Sequence, residues 1–154
     1  MLYIATETNE VTDKYITYKG GYKYQLHTDY HIETDITPVA DYDKPETYLK
    51  LDMNGQLTVL KGYAWDGPSG KVPDTKRNMR ASLVHDAFYQ LLRNEILEPE
   101  QRDVTDLLFK QMCKEDGVWS WIAHLYYLGL RKFGDFAADP ANKREEMRAP
   151  MNKN

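Results

Sequence analysis

Apolar and polar residues alternate along the first part of the chain and recur at helical spacing along the second. The stretches "KYITYK", "YKYQLH" and "YHIETDI", residues 14–19, 22–27 and 30–36, alternate as half-buried strands do. Gly20-Gly21 between the first two reads as a tight turn. "TYLKLD" and "QLTVLKGY" flank Asn54-Gly55, a strong hairpin signal because both residues tolerate the positive φ of a two-residue turn. From Pro73 onward the period lengthens. Leu83, Val84, Ala87, Phe88, Leu91 and Leu92 make one stripe of a helix over 76–94. In "LEPEQRD", Pro99 and the acidic residues suit the first turn of a second helix, which runs to about Glu115 and is closed by Gly117. A third helix runs from Val118 to about Lys132 and ends at Gly134. The pattern predicts an α+β fold, with an N-terminal antiparallel β-sheet followed by a three-helix unit. One domain spans 1–139, strand-rich over 1–62 and loop plus helices over 63–134, and residues 140–154 form a charged, mobile tail.

Composition adds mainly exclusions. A chain of 154 residues with 42% hydrophobic and 29% charged content has the size and balance of a single globular domain. The formal net charge of −4 gives no general attraction to nucleic acid or to an anionic membrane, although Lys71, Lys76, Arg77 and Arg80 cluster locally. No nucleic-acid partner and no transmembrane segment are expected, since the richest apolar run, "VWSWIAHLYYLGL", has only thirteen residues. "MLYIATETNE" lacks the basic start and apolar core of a signal peptide, so export would need another route, such as incorporation into a particle. Cys113 is the single cysteine, which excludes an intrachain disulfide and a thiolate metal cluster. It falls on a core-facing position. Trp119, Trp121, Tyr126 and Tyr127 are expected to pack the third helix rather than to face a membrane.

Candidate chemistry centres on a glycine-punctuated loop, "WDGPSG" at 65–70, followed by "HDAFY" at 85–89. On a helix, His85 and Tyr89 lie one turn apart on the same side, with Ser82 and Asn78 along that edge, and Asp86 points about a quarter turn away. In the next helix Asp106 shares a face with Phe109 and Cys113. An ionised carboxylate on such a strip costs several kcal/mol, roughly, unless a partner meets it. The short connection "NEILEPEQ" makes the two helices antiparallel neighbours, so His85 is the natural partner. Asp106 would then fix the tautomer of His85 and leave its other nitrogen to take a proton from water. Asp86 is placed to hold a hard cation, with main-chain carbonyls of the loop supplying further oxygens. Asp66 could cap the Gly67 turn or ligate the same cation. Ser69 lacks a nucleophile's sequence context, and His27, His31 and His124 have no ligand partners at recognisable spacing.

The order "DGPSG", "HDAFY", "TDLLF", "LRKFG" resembles the core of the secreted phospholipase A2 fold, and most closely the disulfide-free type of parvovirus capsid proteins. The resemblance covers about residues 62–134. It implies His85 as base, Asp106 as its orienting partner and Tyr89 hydrogen-bonded into the pair. It also implies a calcium loop over 63–70 that includes Tyr63, Gly67 and Gly70, with Asp86 as a ligand and a phospholipid or other ester as substrate. Asp66 departs from that pattern as an extra acid in the loop. The whole chain resembles a phage-associated family, domain of unknown function 1353, through "KGYAWDGPSG", "VHDAFY", "TDLLF" and "RKFG".

Three readings follow. The first is a calcium-dependent hydrolase of phospholipase-like design from a phage or prophage, in the host cytoplasm or the virion. The second is a virion or tail-associated structural protein without turnover, whose partners are other phage proteins. The third is a cell-wall or nucleic-acid hydrolase that uses zinc or another transition metal, with Asp66, His85, Asp86 and Asp106 as ligands. Substrate and oligomeric state are not legible in the sequence.

Overall fold

Alternation in the first half resolves into two small antiparallel sheets. The computed structural model describes residues 12–14, 16, 18–21, 23–68 and 72–142. In chain order the strands are β1 (Tyr18–Gly21), β2 (Lys23–Leu26), β3 (Tyr30–Glu33), β4 (Tyr42–Lys44), β5 (Leu49–Leu51), β6 (Gln56–Val59) and β7 (Ala64–Trp65). One sheet has the order β1-β2-β7 and the other β3-β6-β5-β4. The hairpin at Asn54-Gly55 forms as expected, with Leu51 opposite Leu57 across β5 and β6. The first hairpin differs. Gly21 pairs with Lys23, and Gly20 and Gly21 close β1 instead of forming the turn. The positive φ there, 42°, falls on Lys23.

The second half is helical, with α1 (Met79–Arg93), α2 (Gln101–Glu115), α3 (Ser120–Phe133) and a single turn, α4 (Asp135–Ala138). α1 packs on α2, α2 on α3, and α4 returns to α1. The predicted stripe of α1 is buried throughout, from Leu83 to Leu92. Each such side chain contributes about 1.5–3 kcal/mol on leaving water. Leu26, Ile32, Leu49, Leu51, Leu57 and Val59 from the sheets join α1 in one core.

Hydrogen bonds fasten sheet to helix at three places along α1. Arg80 Nη1 donates to the Tyr30 hydroxyl (3.2 Å), Trp65 Nε1 to Ser82 Oγ (2.9 Å), and the Tyr63 hydroxyl to Gln90 Oε1 (3.2 Å). The strand-rich half thus acts as a platform that sets the position of α1. Arg80 also pairs with Asp116 at 2.9 Å and Glu115 at 2.9 Å, and its guanidinium is buried. It therefore joins α1 to the end of α2 instead of contributing to a surface basic patch. The tail from 143 onward, like Ser69, Gly70 and Lys71, lies outside the described residues. Within the described part of the predicted tail, Pro140–Asn142 form a turn of 3-10 helix.

The third helix holds a second correction. Ala123 and Leu130 are buried and Tyr126 is half-buried, but Trp119 and Trp121 are exposed instead of packing the helix. Leu107 of α2 is likewise 43% exposed, whereas Phe109, Met112 and Cys113 are buried. Burial pushes the Cys113 thiol up to about 12, the behaviour of a core residue.

Candidate functional site

His85 and Tyr89, one turn apart on α1, meet Asp106 from α2. The His85 Nε2 lies 2.8 Å from Asp106 Oδ1, and the Tyr89 hydroxyl donates to the same oxygen at 2.6 Å. All three side chains are buried, Asp106 completely. The other carboxylate oxygen, Oδ2, accepts from Arg131 Nη1 of α3 at 3.0 Å and lies 3.9 Å from Arg102 Nε. Arg102 also donates through Nε to the Tyr89 hydroxyl (3.3 Å), through Nη2 to the carbonyls of Leu130 (2.8 Å) and Arg131 (3.2 Å), and through Nη1 to Asp135. The network therefore engages all four helices, and Arg102 adds a second donor to the Leu130 carbonyl, which also accepts from the Gly134 N–H at 2.8 Å.

Charge fixes the protonation. Burial alone would raise the Asp106 carboxyl, but hydrogen bonds from His85 and Tyr89, with the His85 and Arg131 interactions, hold it below the usual carboxylate range. Burial lowers His85, and the charge of Arg102 works in the same direction, against the pull of Asp106. Burial is the largest of these effects, and it favours the neutral imidazole. His85 is therefore neutral. An ionised carboxylate only accepts, so the histidine proton sits on Nε2 and Nδ1 carries the lone pair. The Tyr89 hydroxyl is raised by burial and by its bond to Asp106, and it remains protonated.

Gly134 completes the packing around Tyr89. A Cβ added there would lie 2.5 Å from the Leu130 carbonyl oxygen, 2.6 Å from the Tyr89 hydroxyl and 2.9 Å from Arg102 Nη2. The glycine that ends α3 is thus required by close approach to the network. A cleft of about 670 Å³ lies on this side, lined by Arg102 and Arg131 together with Asp103, Asp135, Glu98 and Leu97 among others.

The candidate cation residues are brought together only in part. Burial raises the Tyr63 hydroxyl, and the negative charge of nearby Asp86 raises it further, while Arg93 acts in the opposite sense. Asp86 and Tyr63 are thus electrostatic neighbours, and Asp86 is half-buried. Asp66 is exposed. Gly67 is buried with φ +78°, close to the Tyr24 ring and the Asp74 carboxylate, and the Tyr24 hydroxyl donates to Asp74 at 2.7 Å. That contact staples the loop to β2. Gly70 lies outside the described residues. Among the described residues no three His, Cys, Asp or Glu side chains gather as a metal would need, so the set Asp66, His85, Asp86 and Asp106 does not form one cluster. No described helix is long and apolar enough to cross a membrane.

Arg102 and Arg131 are the network members that residue spacing did not single out. Arg131 stands in the quoted "LRKFG", but nothing in its spacing ties it to Asp106. Arg102 has a usable signal: it precedes Asp106 by four residues on one helix, the spacing at which opposite charges meet.

A family model described as "Protein of unknown function (DUF1353)" matches residues 47–130, which takes in β5, β6, β7, α1, α2 and most of α3. No curated protein and no solved structure matches the chain.

Proposed function

We propose that this chain, which belongs to that family of proteins of unknown function, is a hydrolase in which His85 acts as the general base. One observation carries the reading: His85 Nε2 lies 2.8 Å from a carboxylate oxygen of the fully buried Asp106, a contact that orients the ring and would leave Nδ1 to accept a proton. A base of that kind needs a lone pair on the second nitrogen and a partner that stabilises the imidazolium formed on proton uptake. Asp106 is such a partner. Tyr89 and Arg131 hold the carboxylate still, so that the proton can move without rearrangement of the acceptor.

The donor set suits calcium better than a transition metal, because it would be all oxygen, the half-buried Asp86 carboxylate with main-chain carbonyls of the loop. Asp86 and carbonyls of the loop after Tyr63 would hold the ion, which would supply positive charge for the oxygen of an ester carbonyl. The substrate class that accords with this chemistry is a phospholipid or another carboxylic ester, and a phage or prophage is the proposed source. The test is release of fatty acid from vesicles of phosphatidylcholine and phosphatidylglycerol with calcium present. Turnover by the intact chain and its loss in His85→Gln, which keeps a donor for Asp106, is the expected result. No release from either protein would remove the reading.

A second reading, a virion or tail component without turnover, is favoured by a different observation. Arg102 and Arg131 complete the Asp106 network inside the protein, and His85 is only 3% exposed. On that reading the network serves to lock the four helices, and the protein would stay with purified particles through high-salt washing.

A further inference from the structure

The chain around β7 is tied to α1 at two points. The Trp65 indole donates to Ser82 Oγ at 2.9 Å, and the Tyr63 hydroxyl donates to Gln90 Oε1 at 3.2 Å. Ser82 and Gln90 stand one turn before and one turn after Asp86, on the same flank of the helix. The two bonds therefore bracket Asp86. Tyr63 and Trp65 are both buried, so each is held by packing as well as by its bond. Ser82 is itself fixed, since its hydroxyl donates to the Met79 carbonyl at 2.8 Å.

We infer that Ser82 and Gln90 are positioning residues for the proposed cation site: they hold the main chain of residues 63–65 opposite Asp86 and so set the distance that the ion would bridge. The inference rests on the calcium reading of Asp86. Helix and strand geometry dictate the placement. Residues 82 and 90 are about 12 Å apart along the helix axis, and residues 63 and 65 only about 7 Å apart in an extended strand. Tyr63 and Trp65 therefore splay apart to reach their partners, and Ala64 sits over the middle of the span, the turn that carries Asp86. The charge of Asp86 is felt at the Tyr63 hydroxyl, as that placement requires. β2 pairs with the same segment, Gln25 opposite Ala64 and Tyr24 opposite Trp65, so sheet and helix hold it together.

A third tie between sheet and helix provides the contrast. Arg80 donates to the Tyr30 hydroxyl at 3.2 Å, but position 80 lies before Ser82 and outside the bracket. All three ties contribute to stability. Only the two that flank Asp86 should affect a cation held there. When one of those is cut, part of the population holds the segment elsewhere, and the apparent affinity falls by the fraction that remains in place. For one ordinary hydrogen bond the loss is about fivefold.

Isothermal titration of the full chain with calcium chloride tests it. Tyr63→Phe and Ser82→Ala should each bind calcium about fivefold more weakly than the intact chain. Gln90→Met should match Tyr63→Phe, and combining those two should cost no more than either alone, because both remove one bond. Tyr30→Phe should lower the urea midpoint and leave the calcium affinity unchanged. Equal affinity in the intact chain, Tyr63→Phe and Ser82→Ala would overturn the inference and leave the calcium reading standing. So would an affinity that falls as far in Tyr30→Phe as in Tyr63→Phe, since the bonds would then serve stability alone. An intact chain that binds no calcium would remove the calcium reading, and the inference with it.

Discussion

His85 and Tyr89 share one oxygen atom of Asp106, the imidazole at 2.8 Å and the hydroxyl at 2.6 Å. Both donors come from one helix and the acceptor from the next, so the shared oxygen is a joint between α1 and α2. The second oxygen, held by Arg131, extends that joint to α3. Few other arrangements would let one buried carboxylate stay ionised, because each partner offsets part of the cost of taking it out of water.

Asp106→Asn is expected to destabilise the protein by about 3–5 kcal/mol, the usual range for breaking a buried pair and leaving the partner charge behind. The amide can accept through only one of its atoms, so Arg131 or the His85–Tyr89 pair loses its acceptor. Urea denaturation of Asp106→Asn, His85→Ala and the double variant supplies the check, since alanine leaves no donor for Asp106. The double variant should lose clearly less than the sum of the singles, and strict additivity would show that the two groups are not coupled.

Much of this joint was legible in the sequence. The period of α1 put His85 and Tyr89 on one edge, the apolar strip of α2 made Asp106 need a partner, and the short connection made the helices neighbours. The hairpin at Asn54-Gly55 was legible for an equally local reason, the φ its turn requires. Arg102 and Arg131 were not singled out by spacing, because a buried guanidinium shows in sequence only as one more charged residue, and its burial depends on how α3 docks. The exposed face of α3 was misread for a related reason: "VWSWIAHLYYLGL" is apolar enough to fill a core, and sequence does not say which side has a neighbour. β7 is two residues long, too short for any alternation to show. Its place beside β2 follows from pairing of Trp65 with Tyr24.

Stability should fall with acidity in two stages. His85 is lowered by burial in the folded chain. Below its ordinary value of about 6.5, the unfolded chain therefore binds a proton that the folded chain refuses, and stability declines as the pH drops. Asp106 is also held low, by its hydrogen-bond partners against the effect of burial. Its contribution is complete above the ordinary carboxylate value of about 3.9 and is lost as the pH falls through the depressed one. Thermal midpoints measured from about pH 8 to about pH 2 should show both, with the first stage missing in His85→Gln.

Gly134→Ala should lose roughly 1–3 kcal/mol, the range for overpacking a tight site. The added methyl would enter the space between the Leu130 carbonyl and the Tyr89 hydroxyl, where less than 3 Å is available. The same substitution at Gly129, which has open space, should be neutral or stabilising. Chemical denaturation of the two variants side by side separates these outcomes.

Calcium at millimolar concentration, the weak end of oxygen-ligand sites, should raise the thermal midpoint. Asp86→Asn should remove that rise. A midpoint that does not respond to calcium would leave Asp86 without a part in the proposed chemistry.

The protonation of the His85 ring is the most direct measure of the proposed base. Nitrogen-detected magnetic resonance of histidine-labelled protein at neutral pH should show one imidazole with the proton on Nε2 and an unprotonated Nδ1, a state that Asp106→Asn disturbs. It should keep that form to a pH well below the ordinary histidine value of about 6.5. An imidazolium at neutral pH, or a proton on Nδ1, would contradict the account, because Nδ1 would then have no lone pair with which to accept a proton from water.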